Sequence, residues 1–172
     1  VMRTLAEHPP EGWTASLLAS HAPTRIAMLR AARKAARELR TLPDDASTLV
    51  HLHAASDWSL RRKLRLAAVC KAPVVLHLHS GDTSRWLQAS AKRMARVRSD
   101  IQRHVDAVVV LDEAWKHLLE PLLGAVEVVP NPIDPMHSPA EGSQREGHHL
   151  LVMGRDAAVK RRGFAIDVLA SV

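Results

Sequence analysis

Cysteine is almost missing from this chain: Cys70 is the single one in 172 residues. An internal disulfide is therefore excluded, and a reducing compartment suits the composition. Cys70 itself reads as a small buried hydrophobe on a helix. Aromatic residues are also scarce, with 1 Phe, 4 Trp and no Tyr. Platforms on which bases could stack are thus nearly lacking. No helix-turn-helix or zinc-finger spacing occurs either, so nucleic acid is not an expected partner. No apolar run approaches the roughly 20 residues that a membrane span needs. Residues 1–13 do not show a charged segment followed by a long apolar core, and a cytoplasmic location is expected. Acidic residues are outnumbered, 18 against 24 Lys+Arg, which leaves a net charge of +6. That excess favours anionic partners such as phosphorylated small molecules or a membrane surface.

What is present is an apolar fraction of 47%, ample for a globular core. The pattern of that fraction is α/β. Residues 74–81, VVLHLHSG, form an apolar run opened by two β-branched valines and entered from Pro73 that ends in His77, His79, Ser80 and Gly81. A buried strand ending in polar residues and glycine is how an open parallel sheet presents chemistry, because ligands sit beyond the carboxyl ends of its strands. In chain order, residues 2–7 read as a helix tail and residues 13–20 as a strand. Residues 27–40 read as a helix, 48–53 as a strand, and 57–70 as a helix capped by Ser56 or Asp57. Beyond the strand at 74–79, residues 83–104 predict a broken helix and 107–111 an apolar strand. Asp112 caps a short helix through Trp115 to Leu119, Gly124 closes it, and 126–129 form a further strand before Pro130. Residues 135–147 are rich in Pro, Ser, Gly and Glu and read as a linker. A new strand at 150–153, a basic loop and a helix from Phe164 follow. Strands alternating with helices imply a doubly wound parallel sheet of Rossmann-like type. The expected division is a first domain over 1–134, a linker over 135–147, and the first strand–loop–helix unit of a second such domain over 148–172. So few residues cannot bury a core of their own, and truncation at both ends is the simplest expectation.

Three groups of residues could carry chemistry. Side chains two apart on a strand share a face, so His51 pairs with His53 and His77 with His79. If the two strands are neighbours, up to four imidazoles gather near one sheet edge. They could ligate a transition metal, with Asp57 and Asp82 nearby in sequence. They could equally line a polar pocket for a sugar or phosphate, and some are structural. The second group is Arg155 and Lys160, two cations around a loop that leads into a helix N-terminus, a fair anion site by charge and free backbone N–H groups. The third is the rigid turn Pro130-Asn131-Pro132-Ile133-Asp134. Apart from these, Arg30, Arg33, Lys34, Arg37 and Arg40 make one basic helix face, opposite Met28, Ala32, Ala35, Ala36 and Leu39. Such a face suits an anionic membrane surface, or is simply the solvated side of a helix that covers a sheet.

Taken together, the segments resemble glycosyltransferase family four, retaining enzymes built from two Rossmann-like domains across a cleft. HLHAASDWSLRRK at 51–63 resembles the family's HLH-x-x-x-x-S-x-x-RK stretch, and PVVLHLHSG at 73–81 its PVVLHLHGG strand. VVVLDEAW at 108–115 is similar to VIVLSE-x-W, VVPNPID at 128–134 to VIPNGVD, and MGRDAAVKRRGF at 153–164 to a GR-x-x-x-x-KG segment. The resemblance implies transfer of a hexose-type sugar from a nucleotide-sugar to an acceptor hydroxyl with retention, in cell-envelope or exopolysaccharide synthesis. It implies no cofactor and no required metal. It casts His79 as the catalytic residue facing the transferred sugar, and His53, His77, Ser80 and Gly81 as candidates for the sugar or acceptor pocket. Arg155 and Lys160 become the holders of the donor diphosphate, and Asn131 and Asp134 part of the hinge. It implies a sugar or lipid-linked acceptor, reached from the inner face of the membrane. Pro132 stands where the family has Gly, Arg161 where Gly follows the Lys, and Asp112 where Ser is usual. The family's glycine-rich loop and its carboxylate motif are not in these residues, so this chain is expected to be a fragment, inactive alone. Two other classes compete: a metal-dependent hydrolase using the His-x-His pairs, and a non-catalytic basic module for a membrane surface.

Overall fold

A computed structural model describes residues 2–45, 47–55 and 57–131. The elements run α1 (Met2–Glu7), α2 (Arg25–Arg40), β1 (Val50–Ala54), α3 (Trp58–Ala67), β2 (Val74–Leu78), α4 (Thr83–Gln88), α5 (Ala91–His104), β3 (Ala107–Val110), α6 (Glu113–Leu123) and β4 (Glu127–Val128). The strands make one four-stranded sheet in the order β1-β2-β3-β4, and every pairing is parallel. The fold is the Rossmann-like α/β arrangement that the alternation of patterns implies. Each step from strand to strand goes the same way across the sheet. With right-handed crossovers, the helices joining consecutive strands therefore lie on one face. The reversal of strand order that marks a doubly wound sheet is not among the described residues.

Local chemistry explains the helix ends. Thr24 caps α2 by accepting from the Ala27 N–H at 3.2 Å, and Ser90 caps α5 by accepting from the Arg93 N–H at 3.3 Å. Asp112 accepts from the Trp115 N–H at 2.8 Å, as its position before α6 predicts. The helix expected over 83–104 is broken between Gln88 and Ala91, where Ser90 starts a new one. Three expectations need correction. Residues 13–20 form no strand: they carry Thr as their one β-branched residue, find no pairing partner, and run as irregular chain. Ser20, at the end of that stretch, is buried and accepts from Lys63 Nζ at 2.8 Å. Asp57 takes the cap position of α3 but makes no side-chain cap bond, and its backbone sits at φ 60, ψ −125. Finally, α6 continues past Leu119 and through Pro121 to Leu123. The proline removes one helical N–H, and burial of Leu119 and Leu123 carries the helix on to Gly124. Cys70 lies beyond the end of α3, half-buried, and burial raises its thiol pKa.

The core sits between the sheet and its helices. Val50, Leu52 and Ala54 of β1, Val74, Leu76 and Leu78 of β2, and Val108 and Val110 of β3 alternate onto that face. They pack with Leu60 and Leu64 of α3, Val97 and Ile101 of α5, and Leu119 and Leu123 of α6. Val109 points the other way; it is buried yet stands outside this cluster. Asp106 ties the sheet's lower edge by accepting from the Val74 N–H at 2.7 Å.

Candidate functional site

The other face of the sheet is where the histidines are. The register sets His53 opposite His77 across β1 and β2. Two-residue alternation then places His51, His53, His77 and His79 on one face, the side away from Leu52 and Leu76. His79 follows β2 directly, and its N–H donates to the Ala54 carbonyl at 2.8 Å, extending the ladder by one step. The rings form a continuous patch. Centroids lie 4.3 Å apart for His51–His53 and 4.1 Å for His77–His79. Across the strands they are 5.3 Å apart for His51–His77, with planes within 2°, and 4.9 Å for His53–His79.

Two ring nitrogens meet directly: His53 Nδ1 and His79 Nε2 are 2.7 Å apart and share one proton. Which ring carries it depends on the tautomer of the pair. His77 is the opposite case. It is 1% exposed, and neither Nδ1 nor Nε2 has a hydrogen-bond partner among the described residues. The backbone of Val129 comes close enough to favour its charged form slightly, without a bond of normal geometry. Burial is the first cause of a lowered pKa at all four rings. It drives His53 to about 3, helped by the charges of His51, His79, His77 and Lys63. It drives His77 to about 4, helped by His79 and His51. His51 is lowered by burial, and His79 by burial and the His51 charge. At neutral pH the patch is a set of uncharged imidazoles, able to donate, accept or ligate.

The edge beyond β2 carries the remaining acceptor-side residues. Ser80 Oγ accepts from the Asp82 N–H at 3.3 Å, which turns the chain into α4. Gly81 faces Trp115 of α6; a Cβ on it would meet Trp115 Cζ2 at 3.4 Å. Asn131 is exposed at the end of the described chain. Arg155, Lys160, Asp134 and the expected linker and second domain lie outside the described residues.

The structure thus joins His51, His53, His77 and His79 as the strand pattern predicts. It also brings in Lys63, whose role the sequence reading missed. Lys63 is half-buried, and that burial lowers its pKa, with Arg62 adding to the effect. Its spacing on α3 alone does not show that it turns toward Ser20 and His53. Trp115 beneath Gly81 was missed for the same reason: the contact joins the loop after β2 to a helix distant in sequence. The basic face of α2 is as expected, with Arg30, Arg33, Lys34, Arg37 and Arg40 all exposed.

Comparison with known protein families gives a match. The family described as Glycosyltransferase Family 4 matches residues 7–137, more than half of the chain. No curated protein and no solved structure matches.

Proposed function

The chain belongs to glycosyltransferase family 4, and from that premise we propose that it transfers a sugar from a nucleotide-sugar donor to an acceptor hydroxyl with retention. The placement of His79 carries this reading. It stands just past the carboxyl end of β2, an inner strand of a parallel sheet, where such sheets bind ligands. It is half-buried and bonded to His53, so its ring is held rather than free. A neutral, oriented imidazole suits a sugar hydroxyl, as donor or acceptor. Ser80 and Gly81 lie next to it on the same edge. In this reading Arg155 and Lys160 neutralise the donor diphosphate as the nucleotide leaves, and Asn131 and Asp134 belong to the hinge across which two domains close. Neither a cofactor nor a metal is required for that transfer. The product is a cell-envelope or exported glycan.

The test is a nucleotide-release assay with a panel of nucleotide-sugars and glycan acceptors, on the protein as its gene encodes it. Acceptor-dependent release is expected, falling at least 100-fold in His79→Ala. Release that His79→Ala leaves unchanged would remove the histidine from the mechanism.

A second observation supports work at a membrane surface. On α2, Ile26 and Leu29 are 68% and 52% exposed, and they share a stripe with Arg30, Arg33, Arg37 and Arg40 at helical spacing. Apolar side chains among arginines suit the boundary of an anionic bilayer. No described helix is long and apolar enough to cross one. Co-sedimentation with phosphatidylserine vesicles should fall with salt, and fall further in the double variant Arg33→Glu, Arg37→Glu. Equal sedimentation with neutral vesicles would refute the role.

A further inference from the structure

We propose that His51, His53 and His77 form a three-imidazole site for one divalent transition-metal ion on the face of the sheet opposite the connecting helices. The inference is independent of sugar transfer and assigns the ion no step in it.

Geometry is the first support. One ligand nitrogen from each of the three rings can be chosen so that all lie within 4.8 Å of one another. A tetrahedral ion about 2.0–2.1 Å from each ligand holds its nitrogens roughly 3.4 Å apart. Rotations of the side chains about fixed backbones close that gap, because the parallel register of β1 and β2 already sets the three Cα positions. The site is built on strands, not on loops, and is held to that extent before any ion arrives.

The second support is His77. A buried polar side chain without partners costs about 1–3 kcal/mol. His77 leaves both ring nitrogens without one. A ligated metal satisfies one of them and removes that cost.

The third support is the hydrogen bond behind His53. Its Nδ1 is engaged by His79, which leaves Nε2 as the nitrogen free to ligate. A metal-bound histidine commonly gives its second nitrogen to an outer partner that fixes ring orientation and tautomer. His79 is placed to be that partner. Ligation at Nε2 would set His53 Nδ1–H as the donor and His79 Nε2 as the acceptor. His79 is therefore a positioning residue for the ion, not a ligand.

The donor set also selects the ion. The cluster contains imidazole only, with no carboxylate among the described residues that complete it. Imidazole suits zinc, cobalt, nickel or copper, whereas magnesium and calcium want oxygen. Three histidines leave a fourth tetrahedral position for water.

The experiment uses the untagged full chain, stripped with a chelator and titrated with Co2+ under visible absorption, then with Zn2+ in competition. The expected result is one Co2+ per chain with the intense absorption of a tetrahedral site. Zn2+ should displace it and Mg2+ should not. His51→Ala, exposed and therefore safe for folding, should weaken binding at least tenfold, and His53→Ala likewise. His79→Ala should keep the stoichiometry with weaker affinity. Zn2+ should raise the thermal midpoint of wild type and not that of His51→Ala. Absence of saturable binding, a pale octahedral spectrum, or wild-type affinity in both His51→Ala and His53→Ala would overturn the site. None of these readouts is sugar transfer, so failure here leaves the transfer reading where it stands.

Discussion

The two faces of the sheet come from the same strands and follow opposite rules. Leu76 and His77 are neighbours on β2, 0% and 1% exposed. Leu76 points to the helices and joins a continuous apolar cluster. His77 points away and buries two ring nitrogens with no partner. One face gains stability from apolar area removed from water. The other gives some of it back by burying a polar ring. Natural chains keep such costs where a site needs them, which is why the histidine face and not the apolar one is read as functional.

Deleting a side chain on the helix-covered face should have the largest effect. Leu76→Ala is expected to lose about 2–5 kcal/mol, measured by urea denaturation. A loss below about 1 kcal/mol would mean that this face is not the main core.

Mild acid, from pH 7 to 4.5, should act chiefly on the histidine face. Folding lowers His53 to about 3 and His77 to about 4, with burial as the leading cause. The unfolded chain titrates near the ordinary value of about 6.5. Between those limits the unfolded state binds more protons, so stability rises with pH there. The contribution is fully present above about pH 6.5. It is lost progressively as pH falls toward 4 and then 3. The urea midpoint of the metal-free chain should therefore drop from pH 7 to pH 4.5. His53→Gln should flatten that drop, while Leu76→Ala should leave its slope unchanged. A wild-type midpoint that is flat across the range would contradict the buried, neutral state of these rings.

His77→Leu sharpens the contrast directly. Leucine has a similar size and no nitrogen to leave unpaired, so the metal-free variant should gain about 1–3 kcal/mol. The gain should vanish when wild type is measured with saturating Zn2+, since the ion would satisfy a nitrogen of His77. A destabilised metal-free His77→Leu would show that His77 has partners after all.

The sequence revealed the histidine face more fully than it revealed what surrounds it. Period-two spacing puts His51 with His53 and His77 with His79. A single helix between the strands makes adjacent parallel pairing the simplest outcome. The His53–His79 bond needs the actual register, which offsets the two His-x-His pairs so that His53 faces His77. No local pattern encodes that offset. Residues 13–20 misled because Trp13, Leu17 and Leu18 suggest burial, yet Trp13 and Leu17 stay exposed and Ser20 is the buried end. Apolar content without period-two alternation is a weak strand signal. The Asp112 cap was legible because a local hydrogen bond made it. Asp57 was half legible: its place at the start of α3 was right, and its chemistry was not.

Asp57 gives the smallest expected effect, and it lies at the loop that leaves the histidine face after β1. Its φ of 60 with ψ −125 is a conformation that glycine adopts freely and residues with a Cβ do not. The cost of such a residue is about 1–3 kcal/mol. Nothing recovers it through capping, since the Asp57 side chain bonds no N–H of α3. Asp57→Gly relieves the strain while adding some freedom to the unfolded chain. The net expectation is a gain of about 0.5–1 kcal/mol in urea denaturation. Asp57→Ala keeps the Cβ and should gain nothing, so the pair of variants isolates the backbone effect. If both variants lose stability equally, the carboxylate itself is needed in the loop beyond β1. The contrast between faces would then extend past the histidines to an acidic group at the same sheet edge.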